Sequence, residues 1–169
     1  PISFVHLPFA HRGYHDCNGN FKGGMGPENS RSSIIHAIQN GLGVEIDIRF
    51  TKDYIPLVIH DDYLKRLCGV NKFLSNTIYR ELRFLRLNNN ENLPTLEEIL
   101  RIINGNTPVL IEFKKLNKTQ DLIKIKKELY PLLSSYSGPL ALMSFDMKLI
   151  AHLSTRLPNI NRGIVLEKF

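Results

Sequence analysis

Residues 43–61 read GVEIDIRFTKDYIPLVIHD. In the first eight, Val44, Ile46 and Ile48 alternate with Glu45, Asp47 and Arg49, the period-two pattern of a strand. A turn follows in TKDYIP, and PLVIH (56–60) makes a short, buried strand ending in a histidine. Glu45 and Asp47 therefore share one face, while the interleaved apolar side chains need cover on the other. Two carboxylates inside a parallel sheet are destabilising unless something cationic sits beside them. A metal ion satisfies that need, and oxygen-only ligands favour magnesium or calcium over zinc. The competing reading, a solvated edge strand with an acidic stripe, leaves the apolar face uncovered.

Working outward, strands and helices alternate. FVHLPFAH (4–11) reads as a strand, and ENSRSSIIHAIQNG (28–41) as a helix with Ser or Asn at its cap and Gly41 as its stop. Residues 61–93 form a longer excursion with a helical stretch in NTIYRELRFLRL. PTLEEILRIIN (94–104) is a helix with Glu97 and Glu98 in its first turn, where the helix dipole favours acids. PVLIEFKK (108–115), LALMSF (140–145) and RGIVLEK (162–168) are strands, with helices over 119–136 and about 146–156 between them. This alternation predicts an α/β fold with a parallel sheet, either open and doubly wound or closed as a barrel.

The chain has 169 residues, 43% of them hydrophobic, enough for one domain with a core. The net charge of +6 suits an anionic partner. The basic residues are scattered, and Lys124, Lys126 and Lys127 read as a solvated helix face. With no nucleic-acid motif, nucleic acid is excluded as the expected partner. No apolar run is long enough for a transmembrane segment. Cys17 and Cys68 make no disulfide framework and read as reduced thiols, which sets cytoplasmic localisation as the default. No strand is followed by a G-x-G-x-x-G or P-loop signature, which ranks a nucleotide binder last.

The remaining polar residues gather late in the strands. His11 and Arg12 close the first strand, His60 the third, and Glu112 and Lys114 share a face at the end of LIEFK (110–114). In parallel α/β sheets the site lies at the carboxyl ends of the strands. Two histidines, three carboxylates, an arginine and a lysine at equivalent places point to one site.

The series HRG (11–13), PENS (27–30), GVEIDIRFTKDYIPLVIHD (43–61), LKRLCG (64–69), LPTLEEIL (93–100), LIEFK (110–114) and SFD (144–146) resembles the glycerophosphodiester phosphodiesterase family along most of the chain. The resemblance implies a TIM-like (β/α) barrel that hydrolyses glycerophosphodiesters to glycerol 3-phosphate and an alcohol. It implies a divalent cation, Mg²⁺ or Ca²⁺, on Glu45, Asp47 and Glu112. It implies His11 and His60 as the acid/base pair, and Arg12 and Lys114 on the phosphate of a small anionic phosphodiester. Glu28 of PEN is expected to orient His11 or the metal ligands. Residues 61–93 match the family's extra segment after the third strand, a lid over the leaving alcohol, with Arg66 holding it to the body through a carboxylate. The chemistry agrees. Phosphodiester hydrolysis needs charge neutralisation, a base for the nucleophile and an acid for the departing alkoxide, and imidazole serves either role near neutral pH. Which histidine is acid, and whether water or a glycerol hydroxyl attacks, stays open.

Six strands are expected, so residues 1–169 read as a single glycerophosphodiesterase-like domain whose barrel is truncated to about six strands. A (β/α)₈ barrel typically takes ~250 residues, so two βα units, roughly 60 residues, are absent. Bare first and sixth strands invite pairing with a second copy, a homo-oligomer through open sheet edges. The alternatives are a lysophospholipase D using the same site and a non-catalytic truncated phosphate-binding remnant. The loop 14–26, with four glycines, reads as a flap carrying Lys22, or as plain surface. His15 and Cys17 lack a second pair at zinc-ligand spacing. Ser144 and Phe145 read either as pocket lining or as core.

Overall fold

The computed structural model describes residues 7–18, 25–116, 122–155 and 157–166; Lys22 lies outside them. The spine is a parallel sheet of β1 (Phe9–Ala10), β2 (Gly43–Phe50), β4 (Val109–Phe113), β5 (Leu140–Ser144) and β6 (Asn161–Ile164), in that spatial order. Helices α1 (Arg31–Gln39), α4 (Leu96–Ile103), α5 (Leu122–Ser135) and α6 (Met147–Ser154) lie between them in the chain. None of the described helices is long and apolar enough to cross a membrane.

β2 is central and buried along almost all its length. Val44, Ile46, Ile48 and Phe50 form one core with Val109, Ile111 and Phe113 of β4, Ile34 and Ala37 of α1, and Leu96 and Ile99 of α4. Alternation then turns Glu45, Asp47 and Glu112 to the opposite face. Ser30 caps α1 by accepting from Ser33 N, and the helix stops before Gly41, whose φ is +67°. Thr95 and Glu98 form a reciprocal capping box on α4, which satisfies two otherwise orphaned N–H groups.

β3 (Pro56–Val58) departs from the all-parallel expectation. It pairs antiparallel with β2, Ile48 opposite Val58 and Phe50 opposite Pro56. The reason is length: residues 51–55 alone connect the two strands, whereas a parallel crossover needs a dozen or more residues. Thr51 closes the turn, accepting from Ile55 N on its hydroxyl at 3.0 Å. β1 covers β2 only as far as Val44, and β3 pairs with it further along the strand. His60 is therefore not the end of a parallel barrel strand. It is delivered back toward Asp47 by a returning strand, with Ile59 N donating to the Asp47 carbonyl at 2.9 Å.

The segment 61–93 carries less helix than its sequence implies, namely single turns α2 (Lys65–Cys68) and α3 (Tyr79–Leu82). Its Leu64, Leu67, Leu74, Leu82, Leu87 and Leu93 pack with Leu57 of β3 and Ile59 in a second small core. Ser144 serves structure, being fully buried and donating to the Phe113 carbonyl at 2.7 Å.

Candidate active site

The sheet register sets Asp47 directly beside Glu112, with Glu45 one step back on the same face of β2. These side chains belong to residues only 4%, 0% and 7% exposed, and each offers a carboxylate oxygen within 4.8 Å of the others. No other such trio of His, Cys, Asp or Glu comes together among the described residues. Burial, reinforced by the neighbouring Asp47 and Glu112 charges, pushes the Glu45 carboxyl up to about 7 against the pull of the Arg12 N–H and Lys114. Glu45 Oε1 is buried with no hydrogen-bond partner. An orphaned anionic oxygen inside an all-oxygen trio fits a hard divalent cation.

Two cations lie on this floor. Lys114 Nζ pairs with Asp47 Oδ1 at 2.8 Å and also with Glu112. Arg12 Nε lies 3.1 Å from Asp47 Oδ2, and its Nη1 donates to Glu28 Oε1 at 3.0 Å. The backbone of Arg12 is left-handed, with φ +58°, an uncommon state for a residue with a side chain. The turn aims its N–H at Glu45 Oε2, 2.9 Å away, while its carbonyl accepts from Asn29 N at 2.8 Å. Gly13 follows at φ +79°, and a Cβ there would sit 2.5 Å from Ser33 Oγ. Gly13 of the HRG motif is thus a backbone requirement, while Arg12 keeps an unfavourable backbone state held by its partners.

Asn29 is a site residue that the sequence reading passed over. It is buried, its Nδ2 donates to Asp47 Oδ2 at 2.9 Å, and its Oδ1 accepts from Asp47 N at 3.1 Å. Its signal lies in PEN, directly after Glu28. Glu28 hydrogen-bonds to Arg12 and Arg66, and so meets the carboxylate floor through Arg12, which pairs with Asp47.

The histidines stand at the margin. His11 is exposed over 69% of its side chain, and its Nε2 lies 4.0 Å from Glu45 Oε2. His60 Nδ1 is 2.8 Å from Asp61 Oδ1, a partner that the His-Asp dipeptide had advertised. Burial alone would raise the Asp61 carboxyl, but bonds from Arg66 and His60 outweigh it and hold the group below the usual range. Arg66 bridges Asp61 and Glu28, the carboxylate contact expected of the extra segment. A cleft of about 490 Å³ opens beside His60, lined by Arg49, Asp61, Tyr63, Lys65 and Arg66. His15 and Cys17 lie 3.9 Å apart and join no metal-ligand group among the described residues.

A model of the glycerophosphoryl diester phosphodiesterase family matches residues 11–168. The chain belongs to that family. A glycerophosphodiester phosphodiesterase of Bacillus altitudinis is 31% identical over 117 residues, covering 64% of this chain and 44% of the relative. An Oleispira antarctica phosphodiesterase, solved with the product sn-glycerol-3-phosphate, superposes with a TM-score of 0.79 at 26% identity, covering 95% of this chain and 67% of that one. A Parabacteroides distasonis glycerophosphodiester phosphodiesterase gives a TM-score of 0.81 at 24% identity, covering 96% and 66%. The chain spans about two thirds of these solved proteins and less than half of the Bacillus relative. The sheet and its helices are therefore part of the family's TIM-like barrel, with β3 as its antiparallel member. In this family member Arg12, Glu28, Glu45, Asp47, Glu112 and Lys114 form one contiguous charged network. His11 sits on its rim, and His60 is joined to it through Asp61, Arg66 and Glu28.

Proposed function

We infer that this chain carries the metal and acid–base part of a phosphoric diester hydrolase acting on glycerophosphodiesters to give glycerol 3-phosphate and an alcohol. The observation that carries the reading is the buried trio Glu45, Asp47 and Glu112, with oxygens within 4.8 Å of one another. These residues would hold Mg²⁺ or Ca²⁺, which supplies Lewis-acid neutralisation of the phosphate charge. Arg12 offers a fork and Lys114 a point charge to the phosphate oxygens. Both now lie on carboxylates, so they are pre-placed at the floor. His60, with Nδ1 toward Asp61, has Nε2 available to take or give a proton, and the exposed His11 is its counterpart. Glu28 and Asn29 orient Arg12 and Asp47.

Residues 1–169 form one domain on this reading, with 61–93 as the segment that walls the alcohol side. Among the described residues β6 ends the sheet, with Ile164 50% exposed, and that edge is where further strands or a second copy would pair. Two free thiols, Cys17 and Cys68, fit a cytoplasmic, reducing setting.

The test is release of glycerol 3-phosphate from glycerophosphocholine with magnesium, calcium or chelator, with His60→Ala as control and lysophosphatidylcholine as the competing substrate. Cation-dependent turnover lost in His60→Ala is expected. A folded protein that neither turns over the diester nor binds either cation would overturn the reading.

A further inference from the structure

Arg66 is more than a clip between the 61–93 segment and the body. Its Nη1 and Nη2 donate to Glu28 Oε2 and Oε1 at 2.8 and 2.7 Å, and its Nε donates to Asp61 Oδ2 at 2.6 Å. The guanidinium is planar, so gripping Glu28 with one edge fixes where the Nε–H points. That N–H holds one oxygen of Asp61 and leaves the other, Oδ1, turned to His60 Nδ1 at 2.8 Å. Asp61 is held in its ionised form by these bonds, and an ionised carboxylate only accepts hydrogen bonds. His60 Nδ1 must therefore carry the hydrogen, so the neutral ring presents Nε2 as its lone pair. Leu64 and Leu67 on either side of Arg66 are buried in the second small core, so the position of the guanidinium follows from how that segment packs.

We propose that Arg66 is the positioning residue of His60. Acting through Asp61, it sets the tautomer and ring orientation of the imidazole and ties both to the fold of residues 61–93. The proposal rests on the reading of His60 as an acid or base. It goes beyond that reading by assigning a catalytic consequence to a residue that touches no reacting atom. A purely architectural Arg66 would hold the segment in place and leave His60 as it is.

The experiment compares Arg66→Gln, Asp61→Asn and the double variant in the intact protein. The ¹⁵N spectrum of the His60 imidazole is the first readout, independent of activity. The wild-type ring is expected as the Nδ1–H form, and Arg66→Gln as a mixture of tautomers in a folded protein with calcium affinity unchanged. Turnover of glycerophosphocholine falls about 10- to 100-fold in Arg66→Gln, part of the 10²–10⁴-fold that a positioned acid or base contributes. If Arg66 acts through Asp61, adding Arg66→Gln to Asp61→Asn lowers turnover by no more than about threefold further. Should Arg66→Gln not fold, Arg66→Lys keeps the charge but lacks the planar fork that fixes the direction of the bond to Asp61, and is expected to give the same mixed spectrum. An unchanged His60 spectrum in the folded variant, or full multiplicative losses in the double variant, overturns the proposal. If His60→Ala retains turnover, the acid–base reading fails instead, and the spectrum still decides whether Arg66 governs the ring.

Discussion

The β2–β4 pair and the 61–93 segment both bring ionisable groups to the site, by different means. On β2 and β4 the carboxylates are placed by backbone register, Asp47 against Glu112, within a ladder that also builds the main core. In the segment, Asp61 and Arg66 are placed by side-chain ion pairs above a separate cluster of leucines. The strand pair fixes charges that repel one another, which a bound cation would relieve. The segment fixes charges that attract one another, which leaves them satisfied without a ligand. On the proposed reading the metal would sit where backbone register places the carboxylates, and the proton chemistry where side-chain ion pairs do.

The comparison breaks most visibly at Asp47, which holds Arg12, Lys114 and Asn29 together. Asp47→Ala strands two cations against a buried floor and is expected to lower stability by about 3–5 kcal/mol in urea denaturation. It should also cost about a thousandfold in turnover. A change in stability below about 1 kcal/mol would mean that the network does not support the strand pair. On the other side, Leu74→Ala empties a fully buried place in the segment's core and should cost about 2–5 kcal/mol locally. Hydrogen exchange should then quicken over 61–93 while β2 and β4 keep their protection. Equal loss in both regions would show that the two cores unfold as one.

Proton linkage sharpens the contrast. Glu45 is raised from 4.5 to about 7 in the fold. The native state therefore keeps a proton that the unfolded chain loses. The contribution of this group is fully present below about pH 4.5 and is lost as pH rises through about 7. For the chelated protein that loss is on the order of 3 kcal/mol. Thermal denaturation with chelator should show the slope, Glu45→Gln should flatten it, and calcium at pH 8 should restore stability to the wild type alone. Asp61, held low, predicts no loss above pH 5 from its side of the site. The smallest effect is expected at Thr95→Ala, which removes the α4 capping box. A loss of about 1 kcal/mol with turnover unchanged would show that helix ends around the barrel do not govern the floor.

Much of the site could be read along the chain because its signals are local. Alternation in GVEIDIRF put Glu45 and Asp47 on one face, and LIEFK did the same for Glu112 and Lys114. The tertiary fold only had to bring the two strands into register. The antiparallel return of β3 was also within reach, since five connecting residues cannot span a parallel crossover, but strand-then-helix rhythm elsewhere in the chain masked it. Asn29 and Asp61 stood beside residues already singled out. Nothing in their spacing says that one is buried against Asp47 and the other clamped by Arg66.

Faces, caps and spacings were determined along the chain itself, because side-chain periodicity and helix ends depend on a few neighbouring residues. The partners of each charge were decided only in three dimensions. Glu28 lies between Arg12 and Arg66, 38 residues from the latter, because the PENS turn and the 61–93 segment are folded against one another. The left-handed turn at Arg12, which delivers an N–H to Glu45 across 33 residues, holds only because Glu28 and Asn29 of the PENS turn and Asp47 of β2 grip it. Such a turn is unfavourable as a local conformation, and only packing around it makes it the stable one.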